Sequence, residues 1–547
     1  MNFASINEFV RSSVTGLAFP VVWYFLFKVY LFEKGAINID IPYNLIFLAF
    51  AVLPLPEAVS RRRALRLGKH VLTVVLAIAL LWHDSWLPPV IDAGIFLNQQ
   101  GIPSLSYIIS FIGGFFSMSI IIVAISLLLF SLLIRKFKVA TTAVLAILIV
   151  VAPIVPLDFN RSQNSPGDPQ IAPVEAAETD PAKRLTTFYS SEAERVILFK
   201  KLEAASVPFD IVILHVCSLA WEDLKHIGLN QDDPFFKQFD YMFTNFNTVT
   251  GYSGPAVLRL LQASCGQKTH NEIHKKDVSK SCMLFEGLSS IGYENYVSMS
   301  HDGKYGDYIK EMKDNGLKNA IMFLPENISP TALFFDGKTP LYSDFTMMKK
   351  WFDARQGSKA EHAALYYNSV LLHAGSHWVG EKSYLNRDKK DQFKEVTTVF
   401  LKDVKKFIDL LKTSKRNTVL VFVPEHGRAL IGSPFQAADL RDIPLPKITR
   451  VPVGIKFIGP KFNNAKTQQN LIAKPASYFA ISWMLSKFVE NSPFGNSALS
   501  AEDILLKVPK TDFVSEHEGH RIIEMEGKFF YSGKDRKWKE LTQDQLK

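Results

Sequence analysis

The chain has 547 residues, enough for two or three domains, and 48% of them are hydrophobic against 21% charged. That balance excludes a purely soluble enzyme and assigns whichever end gathers the apolar excess to a bilayer. The net charge of +9 gives no case for a nucleic-acid partner, because the densest basic cluster, Arg61-Arg62-Arg63, lies between apolar runs, where a membrane topology signal belongs.

The apolar residues gather at the front. Val14–Phe32 is broken only by Lys28 near its end, whose amine is expected to reach the interface on its long stem. Further runs follow at Tyr43–Pro56, Val71–Leu87, Ile108–Ile134 and Val139–Leu157, each near the roughly 20 residues that a bilayer requires. Gly113-Gly114 makes the fourth readable as a short interfacial piece joined to a spanning helix. Residues 1–157 are therefore predicted to form a transmembrane domain of about five helices. A weakly basic start and the lack of a small-residue cleavage site speak against a removed signal peptide. The connections Arg61–Lys69 and Arg135–Lys138 are strongly basic, whereas His83–Tyr107 holds Asp84 and Asp92 and no Lys or Arg. Basic loops stay in the cytoplasm, so five crossings put the N-terminus inside and everything after Leu157 outside, in the periplasm of a cell with two membranes.

Residues 158–184 carry Pro166, Pro169, Pro173 and Pro181 among polar residues and read as an extended linker. Beyond it, residues 185–547 alternate short β-branched runs with amphipathic stretches. Strands are expected at Phe209–Val216, Asn319–Leu324, Ala364–Leu372, Thr418–Val423 and Val451–Ile458. Helices are expected at Gly254–Ser264, Tyr305–Asn315, Tyr342–Arg355, Gln392–Thr413 and Ser477–Glu490. Such alternation predicts a mixed or mainly parallel sheet covered on both faces, with ligands gathered beyond the carboxyl ends of its strands.

Three groups of polar residues fall at those ends. Cys217 follows the first strand, His373 the third, opening His373-Ala-Gly-Ser-His377, and Glu425-His426 the fourth. Singly each has an ordinary explanation, as a small buried hydrophobe, a loop histidine and solvated loop residues. Ser253, in Gly251-Tyr252-Ser253-Gly254-Pro255 just ahead of an apolar run of helical spacing, is expected at or near a helix N-cap. Its hydroxyl either caps that helix or acts as a nucleophile where unpaired N–H groups suit a phosphoryl group. Jointly, thiol, hydroxyl, carboxyl and imidazole form a donor set that suits zinc. Of the three cysteines, Cys265 and Cys282 enclose a hydrophilic loop and are expected to pair in an oxidising compartment, while His270 and His274 within that loop are expected to be exposed.

The order of these features resembles the membrane-anchored phosphoethanolamine transferases of the alkaline phosphatase superfamily. Within them the chain looks very like the branch encoded beside bacterial cellulose synthases. Most relatives that decorate lipid A carry Glu where Cys217 stands, Thr where Ser253 stands, and Asp-His in place of Glu425-His426. The resemblance implies a multi-span α-helical membrane domain followed by an α/β alkaline-phosphatase/sulfatase-like periplasmic domain, in the bacterial inner membrane. It implies zinc held by Cys217, Ser253, Glu425 and His426, with Tyr252, His373 and Arg441 lining the phosphate site and His377 and His301-Asp302-Gly303 as neighbours. Phosphatidylethanolamine is then the donor, the 6-hydroxyl of glucose units in cellulose the acceptor, and subunits of the cellulose synthase complex are contacts. Rival readings are a lipid A or other glycan acceptor, a hydrolase of the same superfamily, and a non-catalytic scaffold of the synthase complex. A sulfatase is disfavoured, since Ser253-Gly-Pro255-Ala-Val257 lacks the Arg that closes the maturation motif of such enzymes.

Overall fold

The computed structural model of the protein describes residues 19–33, 37, 39–52, 63–85 and 180–200 and, with short interruptions, 206–546. They fall into two compact units, an N-terminal one and a larger one that holds nearly all the residues after 180.

In the N-terminal unit, helices span Phe19–Glu33, Ile41–Val52 and Arg63–Asp84. Among the described residues only Leu67–Asp84 is long and apolar enough to cross a membrane by itself, and Trp23–Phe32 and Ile41–Ala51 are shorter apolar helices. The spans expected at Ile108–Ile134 and Val139–Leu157 lie outside the described residues. Lys28 departs from expectation: its amine does not reach outward but is buried, 2.7 Å from Asp84 Oδ2 and donating to Asn44 Oδ1 at 2.7 Å. Asn44 in turn donates to Asp84 Oδ2 at 2.6 Å, so the three polar side chains satisfy one another among apolar neighbours. A buried charge whose counter-charge sits on another helix is held by pairing, because either ion alone carries a desolvation cost.

The larger unit is built on an eight-stranded sheet. Its strands are β1 (Asp210–Val216), β2 (Tyr241–Asn247), β3 (Tyr293–Met299), β4 (Ile321–Phe323), β5 (His362–Ser369), β6 (Thr418–Pro424), β7 (Arg450–Ile458) and β8 (Asn470–Ile472). In space they run β8-β2-β7-β6-β1-β5-β3-β4, and only β7 is antiparallel to its neighbours β2 and β6. A mixed sheet was expected; β2, β3 and β8 were not. Polar residues such as Thr244 and Asn245 of β2 and Glu294 and Asn295 of β3 interrupt the apolar runs by which strands are recognised.

β1 is buried along its whole length, and its alternate residues serve two cores. Ile211 and Ile213 join Val257, Leu260 and Leu261 of the helix Ser253–Leu261 and Ile481, Met484 and Leu485 of the helix Tyr478–Glu490. Val212, Leu214 and Val216 join Met347 and Trp351 of the helix Asp344–Gly357 and Phe393, Phe400 and Phe407 of the helix Lys389–Lys412. At the start of β1, Asp210 forms a buried two-pronged pair with Arg355, at 2.8 and 3.0 Å, which ties the strand to the covering helix. A four-stranded antiparallel meander, β9 (Val514–His517), β10 (His520–Met525), β11 (Lys528–Ser532) and β12 (Trp538–Glu540), closes the chain.

Pro181 belongs not to a linker but to the first turn of a helix, Pro181–Ala193, capped by Asp180; the rest of the expected linker up to residue 179 lies outside the described residues. Of the expected helix Tyr305–Asn315, Tyr308–Met312 is α-helical and Lys313–Leu317 continues as a π-helical turn, whose regular geometry is lost at Asn315 and at Gly316, the latter with a left-handed φ of +101°. Cys265 and Cys282 form a disulfide. His274 is exposed, but His270 is buried, packed edge-on to His517 at 5.0 Å between ring centroids.

Two outcomes follow for stability. Replacing Cys265 and Cys282 by serine should lower the unfolding free energy by about 3 kcal/mol, from the loop-closure entropy of the unfolded chain, and an unchanged urea midpoint would show that the bridge stabilises nothing. In the N-terminal unit, Lys28→Met or Asp84→Asn alone should cost about 3–5 kcal/mol, and the double replacement much less, because only the single changes strand a buried charge. Thermal melts of the detergent-purified variants measure this, and additive losses would contradict the pairing.

Candidate active site

The three parallel strands β6, β1 and β5 end level with one another: Val216 pairs with Pro424 on one side and Ser369 on the other. The ladder runs one residue further, Cys217 N–H donating to Ser369 O at 2.8 Å and Glu425 N–H to Val216 O at 2.8 Å. Cys217 and Glu425 are therefore placed side by side by main-chain hydrogen bonds. Ser218 then takes a left-handed φ of 65°, an uncommon state for a residue with a side chain, and turns the chain sharply away while Leu219 N–H bonds His426 O at 2.7 Å. Asp223 braces the loop beyond His426 by accepting from Arg428 N–H and Leu430 N–H at 2.7 and 2.9 Å.

Ser253 comes from the other side. It is the first residue of its helix, next to the N-cap Tyr252 and so at the helix start where it was expected, and no side-chain capping bond is formed. Its hydroxyl lies instead 3.5 Å from Cys217 Sγ and 3.3 Å from His426 Nε2. Gly251 is needed just before it, because a Cβ there would collide with the Arg441 backbone.

The donor atoms of Cys217, Glu425 and His426 lie within 4.8 Å of one another, the one such group among the described residues. His426 Nδ1–H donates to Gly427 O at 2.7 Å, which fixes the tautomer and leaves the Nε2 lone pair facing Cys217 at 3.9 Å and Ser253. Glu425 Oε2, 3.9 Å from His426 Nε2, has no hydrogen-bond partner, whereas Oε1 accepts from Asn368 at 2.7 Å. Ligands of tetrahedral zinc sit about 3.3 Å apart for two N/O donors and about 3.5 Å apart when one is sulfur, from the usual bond lengths. Of the observed separations, 3.3 Å for Ser253–His426 and 3.5 Å for Cys217–Ser253 match these values, and 3.9 Å for Cys217–His426 and for Glu425–His426 exceeds them by about 0.4–0.6 Å.

The electrostatics agree with the geometry. Burial, then the Glu425 carboxylate, pushes the Cys217 thiol up to about 12, and burial pushes Glu425 up to about 7. His426 is held well below its ordinary value, first by burial and then by Arg441, so it is neutral. Two buried groups that ionise only with a nearby positive charge, a neutral imidazole and a hydroxyl are what a divalent cation requires.

Around this cage, Arg441 is buried, its Nε–H donating to Gly251 O at 2.9 Å and its guanidinium lying 5.2 Å from the centre of the Tyr252 ring. Tyr252 donates to Asp442 Oδ1 at 3.3 Å and packs on His517 of the terminal meander, ring centroids 4.7 Å apart. His373 does not follow its strand directly, since β5 ends at Ser369 and Val370, Leu371 and Leu372 intervene. Its ring packs against Phe334 and Phe335, Nδ1–H donates to Ala374 O at 2.8 Å, and burial followed by Arg441 keeps it neutral. His377 is buried and Nδ1–H donates to Gly375 O at 3.0 Å. Sequence reasoning missed Asn368, Ser218, His215 and His517. Asn368 and His215 lie inside apolar strand patterns, where no signal distinguishes them from core polar residues.

The model of the cellulose biosynthesis protein BcsG C-terminal domain matches residues 165–538, and that of the BcsG N-terminal domain matches residues 22–153. Over 537 residues the chain is 32% identical to cellulose biosynthesis protein BcsG of Escherichia coli K12, covering 92% of this chain and 93% of that one. It is 30% identical to the protein of the same name from Salmonella typhimurium LT2, with the same coverage. A solved alkaline phosphatase superfamily protein from Vibrio parahaemolyticus aligns at 13% identity with a TM-score of 0.45, covering 67% of this chain and 92% of that one. The C-terminal periplasmic domain of EcEptC from Escherichia coli aligns at 12% with a TM-score of 0.40, covering 59% and 94%. With both family models matched in order along the chain and about a third of its residues shared with the first of these relatives over nearly the full length of each, the chain belongs to the cellulose biosynthesis protein BcsG family.

Proposed function

We propose that the protein transfers phosphoethanolamine from phosphatidylethanolamine to glucose 6-hydroxyls of cellulose, through a phosphoethanolamine-serine intermediate at Ser253. The observation that carries this is the meeting of the Cys217, Glu425 and His426 donor atoms within 4.8 Å of one another, with the Ser253 hydroxyl 3.5 Å from the thiol and 3.3 Å from the imidazole, beside a buried arginine. Cellulose as acceptor rests on family membership and phosphatidylethanolamine as donor on the resemblance to phosphoethanolamine transferases; a serine at a helix start is placed to attack a phosphodiester of that kind. Zinc, held by those four residues, would lower the pKa of the serine hydroxyl and offset charge on a phosphoryl oxygen.

In the first step Ser253 Oγ forms a bond to phosphorus as the bond to the glycerol oxygen breaks, and the serine proton ends on departing diacylglycerol. In the second the glucan 6-hydroxyl bonds to phosphorus, the bond to Ser253 breaks, and its proton returns to Oγ. His373, neutral and with Nδ1–H committed to Ala374 O, has Nε2 with which to take a proton from an attacking hydroxyl and hand it on. Arg441 offers donors to the equatorial oxygens, the N–H groups at the start of the Ser253 helix add to them, and Tyr252, its hydroxyl committed to Asp442, lines the site beside the guanidinium. Ser253 is half-buried while Cys217, Glu425 and His426 are shut off from water, so substrate reaches the nucleophile but not the ligands behind it. The disulfide fits an outer domain in an oxidising periplasm, and the apolar helices fit anchorage in the inner membrane, within reach of a lipid headgroup. A scaffold alone has no use for a thiol, a carboxyl, an imidazole and a hydroxyl gathered at one buried strand end.

Ser253→Ala should abolish modification, with phosphorus signals absent from solid-state NMR spectra of extracellular cellulose, and modified polymer from that strain would remove the serine mechanism. Zinc affinity should rise with pH. Binding displaces the Cys217 proton throughout and the Glu425 proton below about 7, so the logarithm of affinity should climb by about two per pH unit below that point and about one above it. Chelator competition measures this slope. A flat profile, or an unchanged profile in Cys217→Ala, would exclude the thiolate as ligand.

A further inference from the structure

We propose that Asn368, held in turn by His301, is a positioning residue that decides which oxygen of Glu425 faces the metal; this rests on the zinc reading of the site. The chain of hydrogen bonds has one direction throughout. Gly303 N–H donates to His301 Nδ1 at 3.1 Å, so the proton of that imidazole resides on Nε2. His301 Nε2–H donates to Asn368 Oδ1 at 2.9 Å, which fixes the orientation of the amide. Asn368 Nδ2 then donates to Glu425 Oε1 at 2.7 Å and to His215 O at 3.1 Å. Glu425 Oε1 is thereby occupied, and Oε2, buried and without a partner, is the oxygen left to point at Cys217 and His426.

Every member of the chain is buried, so water cannot replace a lost donor without moving the structure. The backbone holds the members in place as well: Ser300 N–H donates to Asn368 O at 2.9 Å, which sets the His301 turn beside the end of β5. The turn itself needs Gly303, whose φ is +70° and whose missing side chain leaves room for Ile309 and Met299. The short sequence His301-Asp302-Gly303 thus has a specific role. Its glycine presents an N–H to the histidine, the histidine orients the asparagine, and the asparagine limits the carboxylate to one available oxygen. A carboxylate so held binds through one oxygen and keeps the cage four-coordinate; released, it can turn and offer both.

The test uses the full-length protein in detergent, with zinc or cobalt(II) alone as probe. Asn368→Leu, close in shape but without donors, should weaken zinc by about 10–100-fold in chelator competition, the range for ligand-orienting partners. Its cobalt(II) form should lose visible d–d intensity as a second carboxylate oxygen joins the metal. His301→Leu should show the same changes, His301→Gln, which keeps a donor and an acceptor, should restore near-native affinity, and the Asn368→Leu/His301→Leu double variant should be no worse than Asn368→Leu. If Asn368→Leu fails to fold, the contrast between His301→Leu and His301→Gln carries the test. Wild-type affinity and spectrum in Asn368→Leu and His301→Leu, equal weakening by His301→Gln and His301→Leu, or losses that add in the double variant would overturn the proposal while leaving the zinc site standing. A wild-type protein that binds no zinc would overturn both.

Discussion

The buried contact of a thiol with a carboxyl at the level ends of adjacent strands is the constraint on which the rest of the structure depends. Cys217 and Glu425 are shut off from water, and the main chain leaves neither any freedom to move apart, since each backbone N–H is tied to the next strand. In an apolar interior two such groups stay protonated unless positive charge is supplied. Arg441 supplies part of it, favouring the charged form of both. A divalent cation would supply the remainder, and the neutral His426 and the Ser253 hydroxyl complete its shell. The sheet therefore stores an electrostatic demand at its rim, and the chemistry proposed for the rim meets that demand.

Rigidity for this arrangement comes from both ends of β1. At the start, the pair between Asp210 and Arg355 joins the strand to a helix on one face, and at the end the ladder passes directly into the loops that open with Cys217 and Glu425. The two cores on either side of the sheet pack β1 along its full length, so a small displacement of Cys217 would have to displace aromatic and aliphatic side chains in both. The serine is held differently. Ser253 opens a helix whose apolar face is buried in one core, while its approach to Arg441 depends on the missing side chain of Gly251. His517 brings the terminal meander against Tyr252, so a sheet more than two hundred residues further along the chain supports the start of the Ser253 helix.

Lys28 in the N-terminal unit shows the same principle without any cofactor. Its charge is matched by Asp84 from another helix, with Asn44 donating to the carboxylate and accepting from the amine. Sequence position suggested an amine reaching outward from a helix end. A partner at the matching level of a second helix made pairing the better solution, and no property of residues 14–32 by themselves could reveal that partner.

The sequence by itself determined the two-part character of the chain, the alternating α/β pattern after residue 185, the strands β1, β5, β6 and β7, and the residues with unusual chemistry at their ends. Those features are local: hydrophobic period, helix-start chemistry and the placement of Cys, Glu and His directly after apolar runs depend on neighbouring residues alone. The cysteine pairing was also legible, because only two of three thiols shared one loop. The tertiary structure decided what depends on partners distant in the chain. It decided the strands with polar interruptions, the approach of the Ser253 hydroxyl to Cys217 and His426, the burial of His270, and the hydrogen bonds that link His301 and Asn368 to Glu425. A strand rich in Asn and Glu gains its stability from the strands beside it, and a buried asparagine gains its role from the carboxylate it meets, which are relations that exist only once the sheet has brought those residues together.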